Sequence, residues 1–339
     1  MIKEQGRENI LVVRNLVTSF RTPAGMAVAV DGLSFSLGRN ETIGIVGESG
    51  SGKSVTALSI MGLLPSQSTV VAGGPIIFEG HDLLQYSERE MQHIRGNRIS
   101  MIFQEPMNSL NPVLTVGFQL RETIMLHKKT SQKACRRRAN ELINLVRIPD
   151  ATERMKQYPY QLSGGMRQRV MIAMALSCSP EILIADEPTT ALDVTVQAQI
   201  LSLIAELKQR TGTSVIFITH DLGVVAEVAD RVIVMYAGKC FEEVSVDVLF
   251  TDPKHPYTIG LLTAVPRLGA SRRTTDQKRL VEIPGTVPGL MNKPRGCSFA
   301  PRCSLVVDHC REKTPPLEPL GDGHKVACWR HDKVGELLQ

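Results

Sequence analysis

The stretch Glu41–Leu64, ETIGIVGESGSGKSVTALSIMGLL, decides the fold. Thr42 to Val46 is a short apolar run of the kind that forms a strand buried on both faces. A Gly/Ser loop follows, and a helical pattern begins near Lys53. Gly47, Glu48, Ser49, Gly50, Ser51, Gly52, Lys53 and Ser54 fit G-x-x-x-x-G-K-[ST] at every position. Glycines let backbone N–H groups close on phosphate oxygens with no Cβ in the way. The helix N-terminus adds a favourable field for an anion. Lys53 reaches the β- and γ-phosphates as a point charge, and the Ser54 hydroxyl ligates Mg²⁺. A chance glycine-rich turn would lack both the strand before the loop and the helix after it.

Working outward, apolar strands are predicted at residues 10–20, Ile182–Ala185, Val215–Thr219 and Arg231–Tyr236, with a helix from Thr195 to Arg210. AVAVDGLSFSL alternates around a turn expected at Asp31-Gly32. Strands alternating with helices give an α/β fold with a mostly parallel sheet. Residues 113–160 carry helical periodicity instead and read as a helical subdomain. Its basic run, Lys128 to Arg138, is an exposed face. The strand Ile182–Ala185 ends in Asp186-Glu187. A carboxylate at the C-terminal end of such a strand sits beside the phosphate loop. Asp186 would hold Mg²⁺ through water, and Glu187 would polarise the attacking water as general base.

Leu162-Ser163-Gly164-Gly165-Met166-Arg167-Gln168 opens another helix, with Ser163 as N-cap, and offers a second phosphate site at a helix N-terminus. With this motif the chain resembles the ATP-binding subunits of ABC transporters, whose signature LSGGMRQ is similar to. The resemblance covers residues 10 to about 250 and implies a P-loop NTPase cassette with a helical subdomain. It also implies roles by position. Phe20 matches the aromatic that stacks on adenine. Gln104 in IFQEP matches the loop glutamine that senses the γ-phosphate, ligates Mg²⁺ and faces the membrane subunits. Asp193 in Ala191-Leu192-Asp193 matches the loop that crosses the dimer interface. His220 in FITHD matches the histidine that binds the γ-phosphate. MIFQEPMNSLNP, ADEPTTALDVT, DPKHPYT and IPGTVPG resemble the dipeptide, oligopeptide and nickel importer group. Tyr160 stands where that group often has His.

The resemblance implies the rest of the machine. Two cassettes stack head to tail, and each ATP lies between Lys53 of one chain and the signature of the other. Closure on ATP and reopening after hydrolysis drive two integral membrane permease subunits through the segment around Gln104. The group generally pairs two different ATPase chains, so the partner expected is a second ABC subunit in a heterodimer. A periplasmic or extracellular solute-binding protein acts indirectly. The expected function is ATP hydrolysis powering import of di- or oligopeptides, from the cytoplasmic face of the inner membrane as a peripheral subunit. The competing readings are import of nickel or another small solute, and a soluble ABC protein acting on ribosomes or DNA. The single cassette and the QEPMNSLNP segment favour the importer.

Composition bounds these readings. The chain has 339 residues, 42% hydrophobic and 22% charged. At roughly 150 residues per domain that makes about two domains and excludes a disordered chain. No run of about 18 apolar residues occurs, and the polar start MIKEQGRENI lacks the apolar core of a secretory signal. Aromatics at 4% argue against a stacking platform for single-stranded nucleic acid, and no nucleic-acid partner is expected. The expected division is a cassette over 8–255, with its helical subdomain about 113–178, and a loop-rich C-terminal extension over 256–339. Residues 265–339 hold 13 Lys/Arg against 8 Asp/Glu, the whole of the chain's +5 surplus. That basic tail is read as a solvated face, or as a contact for anionic lipid or nucleic acid.

Cys297, Cys303, Cys310 and Cys328 crowd into the last 43 residues. In a reducing compartment such a group points to a metal rather than to disulfides. Their C-x5-C-x6-C-x17-C spacing is looser than a zinc knuckle, and four thiolates suit zinc or a [4Fe–4S] cluster. The importers that the chain resembles carry such a cluster in this region, which implies [4Fe–4S], with zinc or no metal as the alternatives. Arg295, Arg302, Arg311 and Lys313 are expected to offset its negative charge.

Overall fold

The computed structural model describes residues 8–104, 109–190, 193–264 and 283–338. The composition shift near residue 265 lies outside them, as do Ala191 and Leu192. Contacts divide the chain into two units. One gathers the residues up to Leu11 with Leu37–Thr42 and Phe78–Ile218. The other gathers Val12–Ser36, Ile43–Ile77 and the chain from Thr219 onward.

In the first unit the strands Ile99–Ile102, Ile182–Asp186 and Ser214–Thr219 run parallel, with Ile99 opposite Ile182 and Ile182 opposite Ser214. Every residue of the three is buried, which explains why they read as unbroken apolar runs. Helices Val116–His127, Gln132–Leu145 and Gly164–Ala175 form beside them. The basic run behaves as expected of an amphipathic helix: Cys135, Ala139, Leu142 and Ile143 are buried at helical spacing while Arg136 and Arg137 face out. The strand starts are tied by charge. Arg98 and Arg39 both pair with Glu79, and Arg98 also bonds Glu181, its Nε donating at 2.7 Å.

In the second unit, Arg231–Tyr236 lies parallel to Ile43–Val46 and turns back antiparallel into Lys239–Ser245. That turn places Ala237 and Gly238 at φ 47° and 88°, the left-handed pair a two-residue hairpin needs. The Asn9–Thr22 strand pairs with Thr69–Gly73, Phe20 opposite Thr69.

Two expectations are corrected here. Asp31-Gly32 is not a chain reversal. One strand runs from Gly25 to Gly38, Gly32 absorbs a bend at φ 76°, and the reversal falls between Thr22 and Gly25. The prolines after Asp252 do not all lie in loops either. Pro256 opens the helix Pro256–Ala264, a position where the missing N–H costs nothing. His324–Val326 joins Lys239–Ser245 in register at Glu242 and Glu243, and Glu318–Gly321 forms the outer strand, where Pro319 is tolerated.

What holds that last region is a buried carboxylate. Glu242, fully buried, accepts the Lys254 N–H at 2.6 Å, the His255 N–H at 3.1 Å and the Thr258 hydroxyl at 2.5 Å. His324 Nε2 lies 2.8 Å away. The acceptor thus sits at a helix start, where backbone donors need one. Burial lowers the His255 pKa to about 3, so this ring stays neutral, stacked on Phe241 at 4.5 Å. Among the described residues no helix is long and apolar enough to cross a membrane.

The Arg98 and Arg39 guanidinium groups lower the Glu79 pKa to about 2, well under an unfolded value near 4.3. The pair therefore stabilises the fold above that unfolded value, and the contribution fades as pH falls toward 2. Allowing for solvent screening, Glu79→Gln should cost about 1 kcal/mol at pH 7. The wild-type and variant urea midpoints should converge near pH 2.

Candidate nucleotide site and the cysteine pocket

The phosphate loop belongs to the second unit. It leaves the fully buried strand Thr42–Val46 and enters the helix Lys53–Met61. Two of its glycines are required sterically. At Gly47 (φ 153°) a Cβ would lie 2.1 Å from the Met235 carbonyl oxygen, and at Gly52 (φ 101°) 2.6 Å from that of Ala29. Lys53 is 5% exposed, and its Nζ donates to the Gly47 and Glu48 carbonyls at 2.7 and 3.0 Å. The ammonium is thereby folded over the loop. Ser51 and Gly52 are buried, Ser54 is half-buried, and Ser49 and Gly50 are exposed. Phe20 is half-buried in its strand. His220 is exposed, between the end of Ser214–Thr219 and Asp221. The Asp221 carboxylate caps the next helix, accepting the Gly223 N–H at 2.8 Å.

The first unit carries the acidic residues. Asp186 is 3% exposed at the end of its strand. Glu187 follows with φ 46°, a left-handed backbone that costs a non-glycine residue roughly 1–3 kcal/mol and clusters at functional sites. Its N–H is held by the Ile218 carbonyl at 2.9 Å. Its Oε2 accepts from Gln104 Nε2 at 3.1 Å and from the Thr190 hydroxyl at 2.9 Å. Gln104 and Glu187, 83 positions apart, are therefore brought together. Ser163 caps the helix Gly164–Ala175, its hydroxyl accepting the Met166 N–H at 3.3 Å. Ser163 and Gly164 are exposed, so the helix start is presented outward. Gly165 packs closely, a Cβ there falling 3.1 Å from Val196. Asp193 is exposed and caps the helix Val194–Thr211 through the Val196 N–H at 2.9 Å.

Sequence reasoning missed two supports. Gln168, fully buried, donates from Nε2 to the Pro188 carbonyl and so ties the signature helix to the turn after Glu187. Thr190 steadies the Glu187 carboxylate. Neither had a signal of its own: Gln168 stands between Arg167 and Arg169 and reads as one more polar position.

The four tail cysteines are free thiols lining one cavity of about 20 Å³ with His255, Phe299 and Trp329. Burial raises the Cys297 pKa to about 11 and that of Cys328 to about 12, and the neighbouring thiols push the same way. The donor type suits a thiolate-held group, since a cation there would offset the desolvation that keeps the thiols protonated. The packing is tight: about 20 Å³ is one water-sized space. No group of three His, Cys, Asp or Glu among the described residues stands ready to hold an ion. Arg302, expected beside the cysteines as a counter-charge, turns its guanidinium to Glu48 instead, because a carboxylate offers it two parallel bonds.

Comparison with known proteins places this geometry. Residues 30–190 match the ABC transporter family, and residues 241–310 match the C-terminal region of oligopeptide/dipeptide transporters. A dimeric ATP-binding cassette, MJ0796, solved in a post-hydrolysis state with ADP and Pi, superposes with a TM-score of 0.63 at 27% identity. The match covers 70% of this chain and 98% of that one. CbiO1 of Clostridium perfringens gives 0.62 at 27% identity over 72% and 92%. The fold and the site are those of an ABC-transporter ATP-binding cassette. More narrowly, the probable peptide ABC transporter ATP-binding protein y4tR of Sinorhizobium fredii is 55% identical over 328 residues, 97% of each chain. The dipeptide transport ATP-binding protein DppD of Bacillus subtilis is 55% identical over 329 residues, again 97% of each. The chain belongs to the family of ATP-binding subunits of peptide ABC transporters.

With Glu187 as the base, Glu187→Gln should keep ATP affinity within about threefold and lose at least about 100-fold in turnover. Mixed with its partner ABC subunit, the same variant should elute in gel filtration as a dimer with ATP and as monomers without it. Near-normal turnover would remove Glu187 from the role.

Proposed function

We propose that this chain is the ATP-hydrolysing subunit of an importer for di- or oligopeptides, working as a peripheral protein on the cytoplasmic face of the cell membrane. What carries the reading is the joint presence of a phosphate loop and an outward-facing signature helix in a chain 55% identical, nearly end to end, to peptide and dipeptide transport subunits. The cassette is taken as 8–255, its helical subdomain as about 113–178, and the extension as 256–339.

In this proposal Lys53 and the loop from Gly47 to Ser54 hold the β- and γ-phosphates and Phe20 stacks on adenine. Ser54 and Gln104 would ligate Mg²⁺, and Asp186 would do so through water. Glu187 takes the proton of the attacking water, and Gln104, bonded to Glu187, registers whether the γ-phosphate is present. His220 binds that phosphate. Ser163, Gly164 and Gly165 of a second, different ABC subunit close over it, with Asp193 at the seam. Either cassette alone offers half a pocket, so removal of the γ-phosphate releases the dimer.

The permease subunits are assigned to the segment around Gln104 together with the helix Val116–His127 that follows it. Phe118, Met125 and Leu126 are 43%, 51% and 75% exposed along a groove of about 810 Å³ that Arg121 and Arg136 also line. An apolar patch of that kind is a protein contact rather than a solvated face. The solute-binding protein acts through the permeases.

The cysteine pocket is proposed as the seat of a [4Fe–4S] cluster on Cys297, Cys303, Cys310 and Cys328, with zinc as the alternative occupant. When bound, such a group cross-links the extension and can store an electron. The chain's part is to surrender four thiol protons, so occupancy should rise with pH.

Deleting the gene should abolish uptake of labelled dipeptides. Unimpaired peptide uptake with lost nickel uptake would move the cargo to the other member of the group. For the pocket, anaerobically purified protein should absorb near 400 nm and carry iron and sulfide. Colourless protein with stoichiometric zinc would replace the cluster by that ion.

A further inference from the structure

Glu48 is an awkward residue for a loop that gathers a polyanion. Like charges about 7 Å apart at an effective dielectric near 20 repel enough to weaken binding by tenfold or more. Nothing in the G-x-x-x-x-G-K-[ST] pattern calls for an acid there. The structure shows what has been done with it. Arg302 Nη1 donates to Glu48 Oε2 at 2.7 Å and Nη2 to Oε1 at 3.0 Å, a two-pronged pair between positions 254 residues apart. The Arg302 side chain is only 4% exposed.

The arginine is itself fixed on every side. Its Nε donates to the Pro284 carbonyl at 2.8 Å, Nη2 also to that of Ile283 at 3.1 Å, and Nη1 to the Tyr236 hydroxyl at 3.2 Å. The Tyr236 and Phe299 rings stand 5.7 and 5.9 Å from the guanidinium carbon. Arg302 ends the short turn Ala300–Arg302, with Phe299 before it and Cys303 after it in the wall of the cysteine pocket. The Glu48 backbone is held from the same region, its N–H donating to the Tyr257 hydroxyl at 2.8 Å. Side chain and main chain of one loop residue are thus both secured by the part of the chain that lies beyond the second strand of the hairpin.

We propose that Arg302 is a positioning residue for nucleotide binding: it neutralises the Glu48 carboxylate and holds it as its own partner, so that the loop meets ATP with Lys53 unopposed. The inference rests on the loop being the phosphate-binding one. It gives the C-terminal region a direct part in ATP affinity.

The test uses the full-length chain, with Mg-ATP affinity measured by calorimetry at low and high salt and melting temperature recorded alongside. Arg302→Gln should raise Kd about tenfold at low salt and less at high salt. Arg302→Lys, which keeps the charge, should stay within about threefold of wild type. Combining Arg302→Gln with Glu48→Gln should bring Kd back to within about threefold, because the charge that needed a partner is gone. A merely structural arginine predicts no such rescue. Wild-type affinity in Arg302→Gln, or a double variant as weak as the single one, overturns the proposal. If Arg302→Gln does not fold, Glu48→Gln decides alone: with Arg302 left positive beside the loop, Kd should fall about threefold, and a value at or above wild type overturns it. A wild-type chain that binds no Mg-ATP would instead sink the reading of the loop itself.

Discussion

Backbone pressed against backbone is the constraint on which the site depends. Gly47 and Gly52 leave no room for a side chain because the carbonyls of Met235 and Ala29 occupy the space. The loop is therefore shaped by the strands around it. The buried strand Thr42–Val46 is the anchor. Since it is covered on both faces, its direction is fixed, and the place where the loop begins is fixed with it.

A second constraint acts at Glu187. A strand end that must deliver a carboxylate outward does so here by a left-handed residue, held by Ile218 on its N–H and by Gln104 and Thr190 on its side chain. Strain of this kind persists only where neighbours over-determine it. Gln168 contributes by gripping Pro188 from the signature helix. The helix that Ser163 caps and the turn after Glu187 are thus connected through one amide.

Most of the fold was readable because its signals are local. An apolar run, a glycine loop and a helix N-terminus sit within 24 consecutive residues, and the strand ending in Asp186-Glu187 shows the same unbroken burial pattern. What stayed hidden depends on long-range partners or on context that reverses a local rule. Asp31-Gly32 carries turn chemistry, yet pairing with Asn9–Thr22 keeps the strand extended, and the glycine spends its freedom on a bend. The prolines after Asp252 signal loops, but one opens a helix and another lies on an outer strand, the two places where a missing N–H is harmless. Arg302 was placed by its sequence neighbours, the cysteines, whereas its partner lies 254 residues away. Pair chemistry of that span leaves no periodic trace.

The outer strand Glu318–Gly321 has one more consequence. It is exposed along its whole length, and its proline removes a ladder donor, so the sheet stops there. Beneath it, His324–Val326 covers the hydrogen-bonding side of Lys239–Ser245 at Glu242 and Glu243. A chain cut short before His324 would bare the flank of an otherwise buried strand, together with a carboxylate deprived of its imidazole neighbour. Such a flank is a template for joining to another copy. His324–Val326 and Glu318–Gly321 therefore close off that flank.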